Sequence, residues 1–197
     1  MLKIHGLGHI NIVVDNIEKA MTYYENLLGA TPQQLFPHFR NVGFSKSAGF
    51  MDKPEAVEVS IGFLHVRGAN FFIELMEYHY PKGDQTIHYR KTNDVGGPRH
   101  VCLQVTDIDD AFNFIKTQEV KLISDHPDYK PYKISAITPD EFKFYDEQKE
   151  NSVREKQAVC DIIGGIRYFY FIDQYGIQWE CEEGHSDIGD KPEETGN

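Results

Sequence analysis

Two stretches of the chain, 91 positions apart, carry the same order of hydrophobic and polar residues. One reads GLGHINIVVDNIEKAMTYY from position 6, and the other reads GPRHVCLQVTDIDDAFNFI from position 97. Each opens on a run rich in Ile or Val, which favours a strand, and continues with apolar residues three and four positions apart, which favour an amphipathic helix. The repeat therefore predicts a duplicated strand-helix unit. The pairs that match are His9 with His100, Val14 with Val105, Ile17 with Ile108, and Ala20 with Ala111.

The limits of the first helix can be predicted from its sequence. Asp15 followed by Glu18 resembles a capping box at the helix start, and Gly29 is placed to end the helix. The apolar stripe of this helix repeats in the second copy. Its members are Ile17, Ala20, Met21, Tyr24 and Leu28 in the first copy and Ile108, Ala111, Phe112 and Ile115 in the second.

The two halves of the chain also end alike. FFIELME at 71–77 matches IQWECEE at 177–183, which aligns Glu74 with Glu180 and Glu77 with Glu183. His9 and Glu74 are 65 positions apart, whereas His100 and Glu180 are 80 apart, so the second copy carries about 15 additional residues. The chain therefore duplicates a whole module, and the second copy contains an insertion.

Composition places the boundaries of these parts. We predict a first module at 1–80, a linker at 81–98, a second module at 99–183 with an insertion at about 125–160, and a flexible acidic tail at 184–197. The insertion is rich in charged residues and Tyr, and Thr138, Pro139 and Glu141 suggest a helix start within it. It forms either an inserted helix or lid, or a solvated surface excursion.

Strand alternation gives each module one polar face, since successive side chains point to opposite sides of a strand. The residues predicted on that face are His9, Asn11 and Val13 in the first copy and His100, Cys102 and Gln104 in the second. Two curved sheets that met on these faces would form a cup and bring two imidazoles and two carboxylates toward one centre. Such a set suits one divalent metal ion, namely Zn, Ni, Co, Mn or Fe(II). The predicted ligands are His9, Glu74, His100 and Glu180.

Nearby residues compete for the ligand positions. Glu77 and His79 have ligand chemistry, but both have the opposite parity from Glu74 along their strand. Glu182 shares the parity of Glu180 and is interpreted as a solvated strand end. Cys102 is interpreted as a small buried filler rather than a ligand.

The opening GHINIVVDNIEKAMTYYENLLGA and the ending FIDQYGIQWECEE resemble the signatures of the vicinal oxygen chelate superfamily, which includes glyoxalases, bleomycin resistance proteins and extradiol dioxygenases. In ligand pattern the chain is most similar to glyoxalase I and methylmalonyl-CoA epimerase. The resemblance implies an α+β fold of two paired βαβββ modules, whose curved mixed sheets form a cup around a metal. It places metal ligands on the first and last strands of each module, and it implies a homodimer.

The resemblance also implies a reaction. Members of the superfamily chelate a substrate through adjacent oxygens, and negative charge beside a carbonyl is then stabilised. We expect a metal-dependent lyase or isomerase that moves a proton through a metal-chelated enediolate, with Glu180 and Glu74 as catalytic carboxylates. Two alternatives stay open. One is an Fe(II) extradiol-type dioxygenase, and the other is a metal-free small-molecule binding protein of the antibiotic-resistance kind.

Charge and hydropathy exclude other partners. The net charge of −11 repels phosphate backbones, so we expect no nucleic acid partner and instead a small-molecule substrate with adjacent oxygens. No window reaches about 18 consecutive apolar residues and the N-terminus lacks signal-peptide character, which predicts no membrane association. Three cysteines without CxxC spacing fit a reducing cytoplasm. Five arginines are candidates for an anionic substrate group, and the sequence does not rank them: Arg40, Arg67, Arg90, Arg99 and Arg167.

Overall fold

A computed structural model describes residues 7–184 of the 197-residue chain. The chain divides into two compact units between His88 and Tyr89, and each unit is an α+β body built on one sheet. This confirms the predicted fold class. The predicted tail at 184–197 lies outside the described residues from position 185 onward.

The first unit has the βαβββ order that the resemblance implied. Its sheet has the order β1-β4-β3-β2, in which β1 runs parallel to β4 and the other pairs are antiparallel. A short helix and a single 3-10 turn, Pro54–Ala56, lie between β2 and β3. The elements are β1 Ile10–Val13, α1 Ile17–Leu28, β2 Ala30–Phe39, α2 Val42–Ser47, β3 Glu58–Val66 and β4 Phe71–Tyr80.

The second unit repeats this plan around its insertion. The sheet order is β5-β9-β8-β6, with β5 again parallel to β9, and β7 is a short additional strand that pairs with β8. The elements are β5 His100–Gln104, α3 Ile108–Ile115, β6 Lys121–Leu122, β7 Tyr132–Lys133, α4 Glu147–Glu150, α5 Val153–Ile163, β8 Arg167–Ile172 and β9 Gln178–Glu183.

The predicted alternation of faces is confirmed in both first strands. In β1, Ile12 is buried and Val13 is exposed, and Val14 just beyond the strand is buried again. In β5 the side chains of His100, Cys102 and Gln104 are exposed, while those between them are half-buried. One face of each sheet therefore packs on a helix and leaves the polar residues on the other. The stripe of α1 is buried at Ile17, Ala20, Tyr24 and Leu27, while Met21 and Leu28 are half-buried.

Helix α1 is capped by Asn16, so the prediction that Asp15 caps it is wrong. The backbone of Asn16 is extended, and its side chain accepts a hydrogen bond from the Lys19 N–H at 2.9 Å. The Glu77 carboxylate accepts from the Ile17 N–H at 2.9 Å. This carboxylate, three residues before the end of β4, supplies the acidic partner that Glu18 was expected to provide.

The second unit uses the same device at the start of α3. The Glu183 carboxylate accepts from the N–H groups of Asp107 at 2.9 Å and Ile108 at 3.4 Å. The matched pair Glu77 and Glu183 therefore joins the last strand of each module to the N-terminus of its helix, where negative charge is favourable. Glu77 and Glu183 therefore recur at matching positions because each binds the start of the helix in its own module.

The insertion folds differently from the prediction. Thr138 does not begin a helix, because Glu141 accepts hydrogen bonds from both the backbone N–H and the hydroxyl of Thr138 and closes a turn. The main helix of the insertion, α5, instead starts after Ser152, whose hydroxyl accepts from the Glu155 N–H. The sequence Ser-Val-Arg-Glu at 152–155 has the capping-box pattern that predicts this helix start. Helix α5 also continues to Ile163, beyond the predicted limit at about 160.

The turn between β8 and β9 is organised by one buried carboxylate, that of Asp173, which is 1% exposed. One of its oxygens accepts from the backbone N–H groups of Tyr175 and Ile177, and the other accepts from the indole N–H of Trp179, each at 2.9 Å. Gly176 closes the turn with a positive φ of 80°. The turn therefore fixes the start of β9.

We expect Asp173→Asn to lower the free energy of unfolding by about 1–3 kcal/mol, because a single amide oxygen cannot serve three buried donors as two carboxylate oxygens do. Urea unfolding can be followed by the fluorescence of Trp179, the sole tryptophan. The exposed Asp125→Asn is the matched control and should change stability by less than about 0.5 kcal/mol. Equal stability of the two variants would contradict this role of Asp173.

Candidate metal centre

The first pair of predicted ligands meets at the start of β1. Glu74 on β4 lies beside Asn11 in the parallel register, and His9 immediately precedes β1. The Glu74 Oε2 atom is 3.1 Å from His9 Nε2 and accepts a hydrogen bond from Asn11 Nδ2 at 3.0 Å. The ring of Phe63, the neighbour of Glu74 on β3, meets the His9 ring edge to face at 6.3 Å. The unit thus orients one imidazole and one carboxylate together.

The second pair has the same arrangement in the second unit. Glu180 on β9 lies beside Cys102 in the parallel register, and its Oε2 atom is 3.0 Å from His100 Nε2. Tyr170 faces Glu180 from β8, and its hydroxyl is hydrogen-bonded to the Glu180 carboxylate. The His100 and Tyr170 rings are 5.3 Å apart. Each unit therefore contains one half of the predicted ligand set.

The two halves differ in what supports the carboxylate. By register, Cys102 occupies the position of Asn11, and Tyr170 occupies the position of Phe63. The first unit holds its carboxylate with an amide from its first strand. The second holds its carboxylate with a phenol from the antiparallel neighbour, so equivalent ligands have different supporting partners.

Burial changes the pKa values of Glu180 and Tyr170 in the second unit. The Glu180 side chain is 10% exposed, and the loss of hydration raises the pKa of its carboxyl group, while the charge of His100 and the hydrogen bond from Tyr170 lower that pKa again. Burial and the nearby Glu180 charge also raise the pKa of the Tyr170 hydroxyl. Tyr170 therefore keeps its proton at neutral pH and remains a hydrogen-bond donor.

The donors in each pair fit a metal ion. Imidazole nitrogen and carboxylate oxygen bind first-row divalent metals at about 2.0–2.2 Å, so two such ligands about 90° apart lie about 3 Å from each other. The observed separations within the pairs are 3.1 Å and 3.0 Å. The two imidazoles remain partly exposed, at 44% and 38% of their side chains, which leaves them accessible.

Cys102 is exposed, so the interpretation of this residue as a buried filler is wrong. It lies on the same face of the sheet as Glu180, because the two residues are side by side in the β5–β9 register. Its sulfur and one carboxylate oxygen each of Glu180 and Glu182 all lie within 4.8 Å of one another. The second half of the site therefore has two additional neighbours with ligand chemistry, which strand pairing places there.

Glu77 and His79, the alternative metal ligands in the first unit, form hydrogen bonds with other residues. Glu77 accepts from the start of α1, and His79 Nε2 is 2.8 Å from the Ser60 hydroxyl oxygen. The other ring nitrogen of His79 lies 3.5 Å from the Glu77 carboxylate. Both residues thus belong to a network apart from the pair of His9 and Glu74.

Among residues 7–184, no helix is long enough and apolar enough to cross a membrane.

The sequence model of the family described as the Glyoxalase/Bleomycin resistance protein/Dioxygenase superfamily matches residues 8–135. Methylmalonyl-CoA epimerase from Mus musculus mitochondria is 26% identical over 125 residues, which cover 62% of this chain and 58% of that protein. The chain therefore spans somewhat more than half the length of this relative.

Solved structures share the fold. A glyoxalase family protein from Bacillus cereus superposes with a TM-score of 0.62 at 15% identity, over 94% of this chain and 97% of that chain. The fosfomycin resistance protein FosX from Listeria monocytogenes, solved with Mn(II) and sulfate, gives a TM-score of 0.50 at 17% identity, over 93% and 95% of the two chains. At these identities the similarity shows the fold alone.

We expect Tyr170→Phe to raise the pKa of Glu180 further above its ordinary value, because the hydrogen bond that favours the ionised form is lost. The carboxyl signal of Glu180 can be titrated by carbon-13 NMR in metal-free protein. Tyr168→Phe, which removes a hydroxyl two residues earlier on the same strand, is the control and should leave the titration unchanged. An unaltered Glu180 titration in Tyr170→Phe would contradict the bond.

Proposed function

This chain belongs to the glyoxalase/bleomycin resistance protein/dioxygenase superfamily, and on that premise we propose that it is a metal-dependent lyase or isomerase. Its reaction is the transfer of a proton on a carbon next to a carbonyl group. The observation that carries the proposal is the repeated pair of one imidazole and one carboxylate, 3.1 Å apart in one unit and 3.0 Å apart in the other.

In this proposal His9, Glu74, His100 and Glu180 hold one divalent metal ion, each unit contributing two ligands. Zn, Ni, Co, Mn and Fe(II) all suit these donors. A bound ion supplies positive charge, which stabilises the negative charge that develops on a carbonyl oxygen when the neighbouring carbon loses a proton. The role of the chain is to fix the donors and to move the proton.

Glu180 is the proposed general base. Its carboxylate is largely buried, and the resulting rise of its pKa brings it closer to the working pH, where a general base is most effective. The Tyr170 hydroxyl holds this carboxylate in position. Glu74, which Asn11 orients in the same way, returns the proton to the opposite face or to a neighbouring carbon.

The proposed substrate is a small molecule with adjacent oxygens. The similarity to methylmalonyl-CoA epimerase makes acyl-CoA thioesters with a second carbonyl group the first class to test, although identity is 26%. Isomerisation is therefore favoured over lyase chemistry as the starting hypothesis. A homodimer and a cytoplasmic location remain predictions.

The ligand count separates this proposal from oxygenase chemistry. Extradiol-type dioxygenases use two His and one carboxylate, which leave three positions open in an octahedral shell. Here Glu74 is paired with His9 just as Glu180 is paired with His100, so a fourth ligand is proposed. The metal-free binding alternative is disfavoured for the same reason, since it gives no use to two matched pairs.

We expect metal-loaded protein to exchange the α-proton of methylmalonyl-CoA for deuterium in D2O, which collapses the methyl doublet in the proton NMR spectrum. Glu180→Gln should slow this exchange by about 100-fold or more, because the base is removed. Glu25→Gln, which makes the same change at an exposed position of α1, is the control and should keep most of the rate. Exchange that survives in Glu180→Gln would refute the assignment of the base.

A further inference from the structure

The edge of β8 that faces away from β9 is paired in two separate pieces. Strand β6 pairs with residues 171–172 of β8, and strand β7 pairs with residues 167–168. The strand pairing therefore leaves out residues 169–170, and residues 123–131 connect β6 to β7. The gap includes Tyr170, whose hydroxyl is hydrogen-bonded to the Glu180 carboxylate.

The side chain of Tyr129, in the connection between β6 and β7, fills this gap. Its hydroxyl accepts a hydrogen bond from the Tyr170 backbone N–H at 2.8 Å and donates to the Tyr170 carbonyl at 3.3 Å. The same carbonyl accepts from the Ile123 N–H at 3.2 Å. Burial raises the pKa of the Tyr129 hydroxyl, so this group keeps its proton and remains a donor. A phenol thus takes the place of a neighbouring strand's backbone beside Tyr170.

Tyr129 is itself held from two sides. Its ring meets the buried ring of Phe112, on α3, edge to face at 6.1 Å, and Phe112 also contacts Phe169 of β8 at 5.0 Å. The backbone N–H of Tyr129 donates to the His126 carbonyl at 2.9 Å. Because packing fixes the ring, the hydroxyl is presented to Tyr170 with little rotational freedom.

The first unit supports its carboxylate in another way. Phe63, which occupies the position of Tyr170, pairs through its backbone with Gln34 of β2. Phe63 has no hydroxyl, and Glu74 accepts its hydrogen bond from Asn11 instead. The phenol that holds the backbone of β8 therefore occurs in the unit whose carboxylate depends on that strand.

We propose that Tyr129 is a positioning residue for Glu180 and that it acts through Tyr170. By binding the N–H and the carbonyl of Tyr170, it fixes the point on β8 from which the Tyr170 side chain reaches the carboxylate. A hydrogen bond weakens steeply when its donor turns away from the acceptor, so a small displacement of β8 here would loosen Glu180. The inference rests on the proposed function, in which Glu180 is the base. It gives the connection between β6 and β7 a role at the site.

Amide hydrogen exchange, followed by NMR in metal-free protein, tests the first link. Tyr129→Phe removes the hydroxyl and keeps the ring against Phe112, so the fold should be retained. Exchange of the Tyr170 amide should become about tenfold faster, because its acceptor is lost. Tyr132→Phe is the control, since the Tyr132 hydroxyl lies in the same region but donates to the Asp128 carbonyl. It should leave Tyr170 exchange unchanged. Equal Tyr170 exchange in wild type and Tyr129→Phe would overturn the inference.

The carbon-13 shift of the Glu180 carboxyl group, measured at one fixed pH in metal-free protein, tests the second link. Tyr129→Phe should move this signal in the same direction as Tyr170→Phe does, by a smaller amount. In a Tyr170→Phe background, Tyr129→Phe should cause no further change, because the connecting hydroxyl is absent. An unmoved Glu180 signal, or an equal shift in both backgrounds, would limit Tyr129 to a structural role and overturn the inference.

Steady-state kinetics of α-proton exchange, at saturating metal, test the consequence for the reaction. Tyr129→Phe should lower kcat about tenfold and leave KM within about twofold, because the base is misplaced while substrate binding is kept. An unchanged kcat in this variant would overturn the positioning role and leave the proposed function intact. No exchange by the wild type would refute the proposed function instead. The amide and carboxyl signals, which need neither metal nor substrate, would still decide the role of Tyr129.

Discussion

Parallel pairing between the first and last strands of each module is the constraint on which the candidate site depends. The β1–β4 register sets Asn11 beside Glu74, and the β5–β9 register sets Cys102 beside Glu180. His9 lies two positions before Asn11, and His100 lies two positions before Cys102. Side-chain alternation therefore places each imidazole on the same face of its sheet as the carboxylate. The pairing continues past the strands, since Val14 donates to the Met76 carbonyl and Val105 to the Glu182 carbonyl. A shift of one residue in either register would separate the imidazole from its carboxylate.

The same last strands also fix the helices. Glu77 and Glu183, three residues after the predicted ligands, accept from the N-termini of α1 and α3 on the other side of the sheet. One strand segment therefore presents a carboxylate to each face, one for the site and one for the helix. The cost of burying Glu74 and Glu180 is offset by Asn11 and Tyr170, which give each carboxylate a hydrogen-bond donor. Each His–Glu pair is thus assembled by contacts within its own module.

Much of this could be predicted from the sequence because duplication reveals itself at a fixed offset. The modules, the polar faces and the His–Glu pairing within each unit follow from the repeat and from strand alternation. Asn16, the observed cap of α1, is a favoured N-cap residue that the sequence contained. The bond from the Ile17 N–H to Glu77 could not be predicted, since the two residues are 60 positions apart. The exposure of Cys102 followed from the same parity rule, but its residue type suggested burial. The lack of a hydrogen-bond partner for the buried Gln178 amide nitrogen is visible only in three dimensions, because hydrogen-bond satisfaction depends on all neighbours.

The proposed function requires that the pair of His9 and Glu74 bind the same metal ion as the pair of His100 and Glu180. Metal content by mass spectrometry and metal affinity by calorimetry, measured on wild type and on two half-site variants, test it most directly. One variant combines His9→Ala with Glu74→Gln, and the other combines His100→Ala with Glu180→Gln. A shared centre predicts one metal ion per chain in the wild type and a loss of affinity of at least about 100-fold in both variants. Two ions per chain, or full affinity in either variant, would contradict it.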